Sequence, residues 1–172
     1  MLAGCLTFTS QLFAQGSPND NAEQRLKRAS LPSQLNQTIG GTSLTINYSQ
    51  PALKGRTMGK DIEPMNGKVW RAGANEATSF EVSKDVTVEG QKLPAGKYGL
   101  YTITENGEWT IIFNKTWDTW GAFSYKPADD VLRVKVKAAK SPIFMERMIY
   151  TADKDGKVSL VWGNTEVAFH FK

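Results

Sequence analysis

Trp70, Arg71, Asn75 and Glu76 crowd into one short stretch, Val69-Trp70-Arg71-Ala72-Gly73-Ala74-Asn75-Glu76-Ala77-Thr78. A planar guanidinium can grip a carboxylate or sugar hydroxyls with paired hydrogen bonds, and a nearby carboxylate can accept hydrogen bonds from a polar ligand. Presented at a strand end, Arg71, Asn75 and Glu76 would make a binding site, with Trp70 as its aromatic wall. The same residues support a structural reading. Arg71 and Glu76 would pair with each other, tie a bulged connection to a sheet, and leave Gly73 to supply the positive φ that a bulge needs. Trp70 would then be core.

A second group of chemistry-bearing residues is aromatic. Trp117, Trp120, Phe123 and Tyr125 fall in the irregular stretch from Lys115 to Pro127. Flat rings on a loop can stack on the apolar faces of sugars, with Asp118 or Lys115 catching hydroxyls. The alternative is that they cap the end of a β domain, each burying about 150–250 Å². Carboxylates for glycoside hydrolysis must sit about 5–9.5 Å apart. Glu76, Glu81, Asp85 and Asp118 are the candidates, and nothing in the chain pairs any two of them. Asp153-Lys154-Asp155-Gly156 lacks the later ligands of a calcium loop and reads as a hairpin turn.

Much chemistry is excluded by what the chain does not contain. Its single cysteine, Cys5, and single histidine, His170, rule out a disulfide in the body, a Cys-based metal site and a His-rich metal centre. There is no G-x-S-x-G motif and no glycine-rich phosphate loop. The net charge of +4 is spread along the chain without a clustered stripe, which argues against nucleic-acid binding. No apolar run approaches the roughly 18 residues of a membrane helix. No cofactor is expected.

The elements that must position these residues read as strands. With 172 residues, 40% hydrophobic and 22% charged, the chain suits one globular domain. Apolar residues alternate from Gln34 onward. Leu44, Ile46 and Tyr48 share one face, as do Trp109, Ile111 and Phe113, and Leu132, Val134 and Val136. Gly40-Gly41, Glu89-Gly90, Asn106-Gly107 and Gly163-Asn164 mark turns between strands, and Val131 to Lys137 and Ile143 to Thr151 read as two separate strands. Ala52 to Lys68 is long for a connection, a length usual in functional or mobile loops. Short strands with turns at about ten-residue spacing predict an all-β fold, a single-domain β-sandwich or jelly-roll of mostly antiparallel strands. The expected domain spans residues 34–172.

Residues 1–16 resemble the end of a secretory signal, with an uncharged apolar stretch and the small-residue cleavage pattern Ala14-Gln15-Gly16. The missing basic n-region points to a start upstream of Met1. Leu2-Ala3-Gly4-Cys5 also matches a lipobox, so a lipid anchor at Cys5 is the rival expectation. Residues 17–33 read as a polar linker with a short helix around Ala22 to Ala29. Its basic residues Arg25, Lys27 and Arg28 are expected in solvent.

Several motifs together resemble a known family. Besides Val69 to Thr78 they include Lys84-Asp85-Val86-Thr87-Val88, Leu93-Pro94-Ala95-Gly96-Lys97-Tyr98 and Trp109-Thr110-Ile111-Ile112-Phe113-Asn114-Lys115. Trp120-Gly121-Ala122-Phe123 and Asp130-Val131-Leu132-Arg133-Val134 complete the set. In order and over nearly the whole body, these are similar to domain of unknown function 2911, a family of exported proteins of Gram-negative bacteria. The resemblance implies export, to the periplasm or beyond, and a compact β domain. It transfers no reaction and no catalytic residue. The expectation is a non-catalytic module binding a small ligand, glycan or peptide through Trp70, Arg71, Asn75, Glu76, Trp117, Trp120 and Tyr125. A structural module of the envelope and a carboxylate-based hydrolase are the alternatives.

Overall fold

The computed structural model describes residues 22–172. The expected signal sequence and the rival lipobox at Cys5 fall outside the described residues. The described chain opens with a short helix, α1 (Ala22–Leu26). Ten strands follow: β1 (Leu31–Ile39), β2 (Thr42–Gln50), β3 (Val69–Trp70), β4 (Thr78–Val82), β5 (Val86–Val88), β6 (Gln91–Leu93), β7 (Gly96–Glu105), β8 (Glu108–Asn114), β9 (Asp130–Ala152) and β10 (Lys157–His170). The main sheet runs in the order β1-β2-β4-β7-β8-β9-β10, with β3 also paired to β7. The strand pairs are antiparallel.

The expectation of an all-β antiparallel fold holds, but the sandwich does not. One sheet curls strongly into a half-barrel instead of two sheets packing face to face. The curl brings distant strands together inside. Phe80 of β4 lies 5.9 Å, ring to ring, from Phe169 of β10, and Phe113 of β8 lies 5.8 Å from the same ring. The alternating residues read from the sequence fill this interior: Leu44, Ile46, Ile111, Phe113, Leu132 and Val134 are all buried. Alternation on a curled sheet can supply one closed core without a second layer.

Two other expectations change. The expected pair of strands at Val131 to Lys137 and Ile143 to Thr151 is one continuous strand, β9. Gly163-Asn164 is not a turn between strands. It lies within β10, where the register against β9 shifts on both sides of Gly163, whose φ is 58°. A glycine in the left-handed region inside a strand is the mark of a bulge, which bends the strand without ending it. Two long bent strands can wrap the half-barrel where four short ones would build a layer.

The small β5–β6 hairpin joins the end of the chain. Thr87 and Lys172 exchange two backbone hydrogen bonds, at 2.7 and 2.9 Å. Val86, Val88 and Leu93 are buried with Phe171. On the opposite flank, the chain after β2 meets β9 through the Ala52–Arg147 bridge and the Leu53 N–H to Glu146 carbonyl hydrogen bond. The half-barrel is thereby drawn towards closure.

On the other face of β7 and β8, Ala77, Tyr101 and Ile112 form a second apolar cluster, joined by Val69, Ile103, Ala122 and Tyr125. The aromatic-rich loop thus packs back on the outside of the sheet. Gly99 of β7 permits this. A Cβ there would lie 2.5 Å from the Thr116 carbonyl oxygen and 2.7 Å from the Tyr101 ring, so only glycine lets the loop backbone pass so close.

Candidate functional site

The stretch from Val69 to Thr78 leaves β3, turns tightly and enters β4. Its turn is held from inside. Trp70 is 2% exposed, its indole N–H donates to the Gly73 carbonyl at 3.0 Å, and its ring stacks on Trp162 at 5.9 Å. The Ala72 carbonyl accepts hydrogen bonds from Thr78 Oγ1 (3.0 Å) and from the buried Tyr150 hydroxyl (2.8 Å). Trp70 is therefore a core residue.

Gly73 does not adopt the positive φ expected of it; Ala72 (51°) and Asn75 (58°) do. What Gly73 provides is space. A Cβ there would lie 2.7 Å from Thr78 Oγ1 and 3.3 Å from the Ser49 carbonyl oxygen. The turn doubles back so closely that the left-handed residues flank the glycine, and Asn tolerates that region better than most.

The two chemistry-bearing stretches do meet, along one edge. Glu76 and Trp120 form an antiparallel bridge. The Gly121 N–H donates to the Asn75 carbonyl at 3.0 Å, and the Ala77 N–H to the Thr119 carbonyl at 2.9 Å. Asn75, Glu76 and Trp120 are thus fixed side by side by backbone hydrogen bonds. Trp120 is half exposed, at 50%.

The expected Arg71–Glu76 pair does not form. The Glu76 carboxylate is held by Arg28, whose Nη1 lies 2.8 and 2.9 Å from its two oxygens, with the side chains only 14% and 15% exposed. The Arg28 guanidinium also lies 5.4 Å from the centre of the Trp120 ring, within cation–π range. Arg28 had been expected in solvent; it is the residue that sequence reasoning missed. One arginine among several in a polar segment carries no periodic signal, and its partner lies 48 positions away.

Arg71 is partly buried, and its Nε finds no hydrogen-bond acceptor among the described residues. Burial pushes its guanidinium pKa down, while the Glu63 and Glu76 carboxylates pull it back up. Arg71 thus places a positive charge in the field of Glu63 and Glu76.

The remaining candidates are engaged elsewhere. The Lys97 ammonium sits 4.0 Å over the Trp117 ring. The Tyr125 hydroxyl donates to Asp130 (2.8 Å) and accepts from Arg133 (2.9 Å), and its ring rests on Tyr101. Burial and the Asp130 carboxylate push the Tyr125 pKa up to about 12. Among the hydrolase candidates, Asp85 accepts the Ala95 N–H at 2.8 Å, Glu81 lies 3.9 Å from Lys97, and Asp118 is exposed. No group of three or more metal-ligating side chains comes together among the described residues.

The nine residues before β1 complete the edge. Asn75 Nδ2 donates to the Ser30 carbonyl (3.0 Å), and Arg147 Nη1 donates to the Ala29 carbonyl (3.1 Å). Beneath this strap, Arg25, Ser33, Asn47, Ser49 and Glu76 help to line a gap of about 20 Å³, room for roughly one water.

Comparison with curated proteins and with solved structures found no match. A family model, described as protein of unknown function (DUF2911), matches residues 30–171, a span that begins at the strap's last residue and takes in β1 to β10. The chain belongs to the DUF2911 family.

Proposed function

We propose that this protein is a non-catalytic binding module whose recognition surface is the edge formed by Asn75, Glu76 and Trp120, with Arg71 as an adjoining donor. One observation carries the reading. A carboxylate and a half-exposed indole are locked side by side by backbone hydrogen bonds and already grip a polar group. Such a pair suits a small polar ligand, a glycan or a peptide, because the ring supplies a flat apolar face and Glu76 the directional acceptor. An exported setting, in the envelope of a Gram-negative cell, belongs to the same proposal.

A thermal-shift screen of glycans and peptides, followed by titration calorimetry, tests it. A ligand found in the screen should lose at least about tenfold in affinity in Trp120→Ala and in Glu76→Gln. Unchanged affinity in both variants would sink this site.

The structural-module reading also has support, in Trp70 and Gly73. Those residues serve the turn and the core, whereas Trp120 spends half its surface in solvent.

A further inference from the structure

We propose that the Glu76–Trp120 edge is a guanidinium receptor for an arginine-bearing peptide, and that residues 22–30, a helical turn followed by bends, are its occupant in cis. The inference rests on the binding-module reading and specifies its ligand.

The contacts divide as peptide recognition does. Glu76 takes the guanidinium with both oxygens, and Trp120 lies beside the same cation. The next two peptide units are read through their carbonyls: Ala29 by Arg147 and Ser30 by Asn75. These last two contacts are blind to side chains. An arginine followed by two residues of any type in the same conformation therefore satisfies the site. Selectivity lies in the guanidinium, which a carboxylate and an aromatic face together distinguish from neutral groups.

The strap is built to be replaceable. Its helix buries no residue, and Leu26, its largest apolar side chain, is 67% exposed. A gap of about 20 Å³ lies beneath the strap. A competing peptide from another polypeptide would take the same contacts to Glu76, Arg147 and Asn75. The strap's advantage is its tether, which keeps its local concentration high.

The test uses the full chain and a labelled peptide with the sequence of residues 24–32, read by fluorescence anisotropy. A second peptide carries citrulline, the neutral isostere, at the position of Arg28. Arg28→Ala, which empties the receptor, should bind the arginine peptide at least about tenfold more tightly than the wild type. The citrulline peptide should bind at least about tenfold more weakly, and adding Glu76→Gln to Arg28→Ala should abolish the gain. Arg28→Lys, which retains the charge and the strap, should fall between wild type and Arg28→Ala. Equal affinity of wild type and Arg28→Ala, equal affinity for the two peptides, or no peptide binding by either protein would overturn the inference. If the peptide fails while a ligand from the screen still depends on Glu76 and Trp120, the guanidinium receptor falls and the binding module stands.

Discussion

Arg28, Arg71 and Glu76 illustrate how a charge finds its partner. Glu76 had two guanidinium groups to choose from, one five residues away in sequence and one 48 away. Its side chain meets the distant one, because Arg71 leaves the chain before a turn that includes two left-handed residues and Glu76 leaves it afterwards. Trp70 makes the complementary point, since a residue of the signature stretch can serve the core alone. Its loss should act on stability and not on recognition. Trp70→Ala should cost about 3–5 kcal/mol, measured by urea unfolding, while the folded fraction keeps its ligand affinity. A loss of affinity with little loss of stability would return Trp70 to the binding surface.

At the scale of elements, the site depends on a loop crossing a strand. The segment from Lys115 to Pro127 reaches the Glu76 edge only because it passes over β7 at Gly99, where the Thr116 backbone occupies the place of a side chain. Gly99→Ala should therefore cost about 1–3 kcal/mol, as overpacking does, and should loosen the loop as well. Hydrogen exchange would show it as faster exchange at the Ala77 and Gly121 amides, whose acceptors lie on opposite sides of the Glu76–Trp120 bridge. Unchanged exchange there would mean that the loop is held without the crossing.

For the whole molecule, the closed interior predicts a response to alkali. Tyr150 is buried among the core residues, and burial raises its pKa well above the ordinary value; the nearby Tyr48 adds to the effect. Burial also raises the pKa of Tyr101 and of Tyr98. An unfolded tyrosine ionises near pH 10. Above that pH the unfolded chain binds fewer protons than the folded one, so stability falls as pH rises, by up to about 1.4 kcal/mol per pH unit for each tyrosine. Tyr150→Phe should cost about 1 kcal/mol at pH 7, through loss of the hydrogen bond to Ala72. It should also flatten the decline above pH 10, and urea unfolding at pH 7 and pH 10.5 measures both. A slope equal to that of wild type would show that Tyr150 is not the group that resists ionisation.

The sequence by itself determined the local facts. Period-two alternation identified the inward residues of β2, β8 and the first part of β9, and Gly-containing pairs marked several turns, because both signals arise between near neighbours. Family membership was legible too, from motifs in order along the body. The tertiary structure alone decided the closure of the fold. A half-barrel and a sandwich share the same alternation, and they differ in whether two long strands bend through bulges or break into turns. It also decided the partners. Nothing in the order of residues tells Glu76 to take Arg28 over Arg71, or places Trp120 beside it. Those contacts exist only once the sheet has curled, the loop has crossed Gly99 and the strap has been laid across the edge.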